Sequence, residues 1–282
     1  MIKLKRITLI VLLTFLVTSG SFIIYQYLQL KNPGTIVLLY HKITQDESHN
    51  KYSLSMHKFE EQLKYLYEND YRTMLPETFF KQQYQKNAPK TLLISFDDGT
   101  VDHYSAVYPL LKKYGFSGIF FIVYKYVDHP GSLSFDQIKE MSRNNMEIGS
   151  HSYSHPYLDE LDYDDIVIEL QRSKDGLEEI TGKEVISFAP PGGWFNQDVL
   201  KAAKELGYKF FFTCELGAND LKERPFVYKR IEVTGDMDVT DFERLLNPPE
   251  ILGYKVMQSL KFLVHDILGS ERYLWLSSLS FS

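Results

Sequence analysis

The sequence predicts an α/β fold, a distorted (β/α) barrel of about seven strands, on two observations. Short apolar runs alternate with longer helical patterns, and the motifs able to carry chemistry stand at the C-terminal ends of those runs. With 282 residues, 44% of them hydrophobic and 24% charged, the chain can bury one sizeable core. A formal net charge of -6 and the absence of a basic block argue against a nucleic-acid partner, since phosphate binding needs clustered Lys and Arg. Cys214 is the single cysteine, so an intrachain disulfide and a multi-cysteine zinc site are both excluded.

The predicted strands are residues 35–40, 91–96, 118–123, 146–150, 185–189, 209–213 and 227–233, each β-branched or aromatic and nearly continuous in hydrophobicity. Between them, Ala106, Val107, Leu110, Leu111 and Tyr114 recur at helical spacing before Gly115. Val199, Leu200, Ala203 and Leu206 repeat the device, with Asn196 as N-cap and Gly207 as stop. A longer helix is predicted over 163–180 on the stripe Tyr163, Val167, Leu170 and Leu177.

Ahead of the barrel, Lys3, Lys5 and Arg6 precede an uncharged stretch, residues 7–30. As a helix that stretch is about 36 Å long, enough for a hydrocarbon core of about 30 Å. The basic flank predicts a cytoplasmic N-terminus and an exported remainder. Residues 1–30 are therefore read as a single-pass transmembrane anchor or, if cleaved after the small residues Thr18 to Ser21, as a signal segment. Residues 31–249 form the predicted catalytic domain; 250–282 hold an amphipathic helix at 250–267 and a tail.

Two motifs carry the chemistry. Ser95-Phe96-Asp97-Asp98-Gly99 follows an apolar run, so two adjacent carboxylates sit where a strand ends. Bare carboxylates this close repel, and a cation on one would leave the other free as a base. His151-Ser152-Tyr153-Ser154-His155 supplies two imidazoles four residues apart, a spacing that in a helical turn puts both rings on one face. Two His and one Asp make a facial ligand set with positions open for water and substrate.

With these motifs in this order, about fifty residues apart, the chain resembles the polysaccharide deacetylases of carbohydrate esterase family 4, which share the NodB-homology domain. The resemblance covers roughly residues 35–233 and also takes in the opening Leu38-Leu39-Tyr40-His41-Lys42-Ile43. It implies that Asp98, His151 and His155 hold a divalent metal, usually zinc, while Asp97 takes the proton from the attacking water. It implies a hydrolase that removes acetyl groups from N-acetylated residues of an extracellular polysaccharide: poly-N-acetylglucosamine, an exopolysaccharide or peptidoglycan. An O-acetyl esterase and a catalytically degenerate glycan-binding protein are the alternatives. The partners expected are the acetylated glycan and, through the N-terminal helix, the membrane.

The chain departs from the family pattern at two places. In Phe188-Ala189-Pro190-Pro191-Gly192-Gly193, Ala189 stands where many members have the Arg that orients the catalytic Asp, and Gly192 where many have Tyr. Gly192 can still offer a backbone N–H to an oxyanion; Ala189 cannot replace a guanidinium. The last strand, with Arg230-Ile231-Glu232-Val233, lacks the His that protonates the leaving amine. His41, at the end of the first strand, is the candidate substitute, and His265 in the tail a more remote one.

Overall fold

The computed structural model describes residues 34–78, 90–219 and 226–246. The predicted membrane segment and the predicted C-terminal helix, with His265, lie outside the described residues. Among the described residues no helix is long and apolar enough to cross a membrane.

The fold is a curled, all-parallel sheet with helices on its outer face. Its strands are β1 Val37–Tyr40, β4 Arg72–Thr73, β5 Thr91–Phe96, β6 Ile119–Ile122, β7 Glu147–Ser150, β8 Ser187–Phe188, β9 Phe210–Phe212, β10 Val227–Tyr228 and β11 Ile231–Glu232. Eight of them run in the order β10-β9-β8-β7-β6-β5-β1-β11, and β4 pairs with the first two residues of β5. A separate pair, β2 Lys42–Thr44 and β3 Ser53–Ser55, follows β1. The helices are α1 Met56–Glu68, α2 Tyr108–Tyr114, α3 Phe135–Arg143, α4 Tyr163–Thr181, α5 Gln197–Glu205 and α6 Val239–Leu245.

One prediction is corrected here. Residues 227–233 are not a single strand but two, β10 and β11, which occupy the opposite ends of the sheet. Only Lys229 and Arg230 separate them, so the Cα atoms of Tyr228 and Ile231 are at most about 11 Å apart. The two edges of the curl must therefore meet, and the chain itself crosses the gap that a hydrogen-bonded ladder would otherwise fill.

Alternation along the strands sorts the core into two sets. Leu38, Ile94, Phe96, Phe120, Ile122 and Phe211 belong to the large cluster shared with the helices. Val37, Leu93, Ile119, Phe121, Phe210, Phe212 and Tyr228 form a second cluster, the lining of the curl. The helix ends follow local chemistry. Ser134 and Gln137 close a capping box on α3, the Asn196 side chain caps α5, and Gly115 and Gly182 end α2 and α4 in the left-handed conformation. Before α2 the chain takes one wide turn, a π-helix over His103–Val107.

Candidate active site

Asp97 is placed by the parity of β5. Leu93 points into the curl, so Ser95 and Asp97, two and four residues on, face the same way. Asp97 is 2% exposed. A carboxylate so deep needs a partner, and it has one in Arg230, from the junction between β10 and β11. The guanidinium donates from Nη1 to Oδ1 at 2.7 Å and from Nη2 to Oδ2 at 2.8 Å. Its Nε donates to the Thr213 carbonyl at 3.0 Å, and its centre stands 5.4 Å from the centroid of the Phe121 ring. Burial works against ionisation of Asp97, but the charge of Arg230 and its hydrogen bonds more than offset it and hold the carboxyl below its ordinary range.

Arg230 thus supplies what Ala189 lacks. The sequence reading saw this residue only as part of a strand. The available signal was weak: Arg230 stands between Lys229 and Ile231 in a segment that alternates apolar and charged residues, and an arginine whose strand is buried needs a carboxylate partner.

Asp98 turns the other way. Its φ of +76° swings the side chain out of the interior parity, and its carboxyl is 40% exposed. His151 lies buried at the end of β7, and its Nδ1 is 2.7 Å from the Ala189 carbonyl oxygen. A carbonyl can only accept, so Nδ1 carries the proton and the Nε2 lone pair is free. That Nε2 lies 3.7 Å from Asp98 Oδ1 and 4.0 Å from Asp97 Oδ2. His155 Nε2 is 3.5 Å from the same Asp98 oxygen. Burial pushes the His151 imidazolium down to about 4, so the ring is neutral at pH 7. One atom each from Asp98, His151 and His155 lie within 4.8 Å of one another, a set able to hold a metal ion. The donors fit: a neutral imidazole with its other nitrogen pinned, a second imidazole and an ionised carboxylate.

The two imidazoles do not share a helical turn, as their spacing predicted. Residues 151–155 form a loop in which Ser152 and His155 have φ of +63° and +66°. The loop is held by hydrogen bonds. The His155 N–H donates to Ser152 Oγ at 2.9 Å, and Ser154 donates from N and Oγ to the two Glu169 carboxylate oxygens at 2.8 and 2.7 Å. Glu169 lies on α4, so the helix grips the loop that presents His155.

His41 stands at the same mouth: its charge contributes to lowering both Asp97 and Asp98. Its ring lies 4.9 Å from that of Tyr52, which is 49% exposed. Gly192 is exposed with φ +64°, in the tight turn Pro191–Gly193 between the Trp194 and Tyr157 rings. At Gly193, with φ +77°, an added Cβ would stand 2.5 Å from Cys214 Cβ.

Comparison with known proteins agrees with this geometry. The family profile described as polysaccharide deacetylase matches residues 84–211. The YxkH protein of Bacillus subtilis (strain 168), named as a candidate polysaccharide deacetylase, is 32% identical over 208 residues, 73% of this chain and 74% of its own. The poly-beta-1,6-N-acetyl-D-glucosamine N-deacetylase of Staphylococcus aureus (strain MRSA252) is 27% identical over 69% of this chain and 71% of its own. The deacetylase PplD of Streptococcus pyogenes, solved with acetate, superposes with a TM-score of 0.70 at 25% identity, over 76% of this chain and 99% of that one. With its paired aspartates and two histidines gathered at the mouth of a curled parallel sheet, the chain belongs to the polysaccharide deacetylase family, hydrolases that remove acetyl groups from glycans.

Proposed function

We propose that the protein is a metal-dependent N-deacetylase acting on an exported polymer of N-acetylglucosamine, held by its N-terminus at the outer face of a membrane. The observation that carries this reading is the convergence of Asp98, His151 and His155 beside an ionised, buried Asp97. Similarity to the Staphylococcus aureus enzyme over most of both chains supports the substrate class. The basic cluster and the uncharged stretch after it support the location.

When bound, a divalent ion, with zinc as the first candidate, supplies Lewis-acid polarisation of the acetyl carbonyl and acidifies water. The protein does the rest. Asp97, kept charged by Arg230, takes the proton from the attacking water. The Gly192 N–H is the donor assigned to the developing oxyanion, since every non-proline residue keeps that group. His41, across the mouth, returns a proton to the leaving amine.

Acetate release by the full chain from N-acetylglucosamine oligomers and from O-acetylated glycans, with chelator and then restored zinc, tests the reading. Chelator-sensitive release from the oligomers is the expected result. Release from the esters alone would make it an O-acetyl esterase. No release from a protein with stoichiometric zinc would reduce it to a binding protein.

A further inference from the structure

β1 ends at Tyr40, whose carbonyl accepts the last bond of the β5 ladder, from Asp97 N at 3.0 Å. Beyond it the chain leaves the sheet, and Lys42 N donates instead to Tyr52 O at 3.0 Å. Two backbone groups on either side of Lys42 are thereby left without a strand partner, the His41 carbonyl and the Ile43 N–H. Both are taken up by side chains that follow the aspartate pair. Asp102 Oδ2 accepts from Ile43 N at 2.7 Å, and His103 Nε2 lies 2.8 Å from His41 O. A carbonyl only accepts, so His103 donates through Nε2–H and its tautomer is fixed.

His103 is fully buried, with its ring 5.5 Å from that of Phe96 and 5.6 Å from that of Phe120. Its Nδ1 and the Asp102 Oδ1 are buried without a hydrogen-bond partner. A buried histidine and a half-buried aspartate, each with one buried polar atom unpartnered, carry a cost that needs a return beyond packing. The wide turn His103–Val107 starts at the same point, and turns of this type concentrate at functional sites.

We propose that Asp102 and His103 are positioning residues that clamp the turn carrying His41, so that its imidazole stands over the Asp97–Asp98 pair. This rests on the deacetylase reading of the site and on the role given there to His41. The clamp links the acid to the base: one segment, Asp97 to His103, carries the aspartates and also fixes the backbone on which His41 sits. A reach error of about 1 Å costs about 100-fold in such chemistry, which is reason enough to pin a turn from two directions.

A double-mutant cycle tests it, with the zinc-loaded full chain and an N-acetylglucosamine pentamer. His41→Gln is expected to lower kcat about 100-fold. His103→Leu and Asp102→Ala should each lower kcat about 10-fold with KM within about twofold. In the His41→Gln background neither should lower it further. His103→Gln and Asp102→Asn, which keep a donor and an acceptor at the same reach, should recover most of the rate. Full multiplication of the effects in the double variants, or conservative variants as slow as the truncated ones, would overturn the proposal. Should His103→Leu fail to fold, the Asp102 pair completes the cycle, with amide exchange at Ile43 as its second readout: faster in Asp102→Ala, unchanged in Asp102→Asn. Exchange equal in both would also overturn it. A wild-type chain that releases no acetate would fail the deacetylase reading instead, and the exchange measurement would still report on the clamp.

Discussion

Arg230 and Asp97, 133 residues apart in sequence, face each other as a fork on a carboxylate, Nη1 donating to Oδ1 at 2.7 Å and Nη2 to Oδ2 at 2.8 Å. Such paired charge-assisted bonds fix orientation as well as charge. Lysine offers a point charge and cannot reproduce the fork.

Replacing Arg230 by Met is therefore expected to leave a buried carboxylate uncompensated and to destabilise the fold by about 3–5 kcal/mol, measured by urea unfolding. Arg230→Lys should keep more of the stability yet lower kcat, by about 10-fold or more. Pairing Arg230→Met with Asp97→Asn should return most of the stability but none of the activity. Equal unfolding midpoints for Arg230→Met and the parent would contradict the ion pair's role.

The loop that presents His155 depends on Glu169, which binds Ser154 through two hydrogen bonds. Glu169→Ala is expected to weaken zinc binding by about 10- to 100-fold, the usual loss when the support of a ligand is removed. Competition with a chromogenic chelator measures this without any turnover. An unchanged affinity would mean that the loop holds its two left-handed residues without help from α4.

At the other end of the curl, Glu147 lines a cavity of about 290 Å³ together with Leu75, Glu77, Lys183, Glu184 and Lys209. Burial raises its carboxyl from an ordinary 4.5 to about 7; a hydrogen bond from Ser187 opposes the rise and the charge of Glu77 adds to it. An acid raised in the folded state binds its proton more tightly there than when unfolded. The stability it contributes is thus fully present below about pH 4.5 and is lost as pH rises through about 7. Thermal melts across that window should fall, and Glu147→Gln should flatten the slope. A slope identical in the variant would assign the dependence to another group.

Gly193 and Gly192 are adjacent and both left-handed, yet they should respond differently to a methyl group. At either position the backbone strain costs about 1–2 kcal/mol. At Gly193 the new Cβ also meets Cys214 Cβ and Sγ at 2.5 and 2.6 Å, and that sulfur lies 3.7 Å from Arg230 Nη2. Gly192 meets only the edges of Trp194 and Tyr157, at 3.0 Å and beyond. Gly193→Ala is expected to be the more destabilising of the two in urea and to move the Cys214 thiol towards Arg230. The reverse order would show that the turn shifts as a body.

What the sequence made legible was whatever is local. The strand at 91–96 coincides with β5, because a run of β-branched and apolar residues broken only by the small Ser95 and bounded by turn residues has few other fates. Asn196 and Gly207 bound α5 as their capping chemistry dictates. The four motif residues Asp97, Asp98, His151 and His155 lie together because each stands just past a strand end. What escaped was decided by pairing across the fold. Arg230 became an active-site residue because residues 227–233 split between two sheet edges, and no property of the heptapeptide alone distinguishes one strand from two. The short strands β2, β3 and β4 escaped too, having two or three residues each and no period to read.

The junction of Lys229 and Arg230 also sets a rule for how this molecule can change. Loops elsewhere on such a scaffold tolerate added length, since closing a longer loop costs little entropy. Here two residues must both bridge from one sheet edge to the other and deliver a guanidinium to Asp97, with Arg230 N held to Glu215 O at 3.0 Å along the way. One inserted residue would leave both strands free to form and would point the arginine elsewhere. Chain length at this spot is metered by the chemistry it serves.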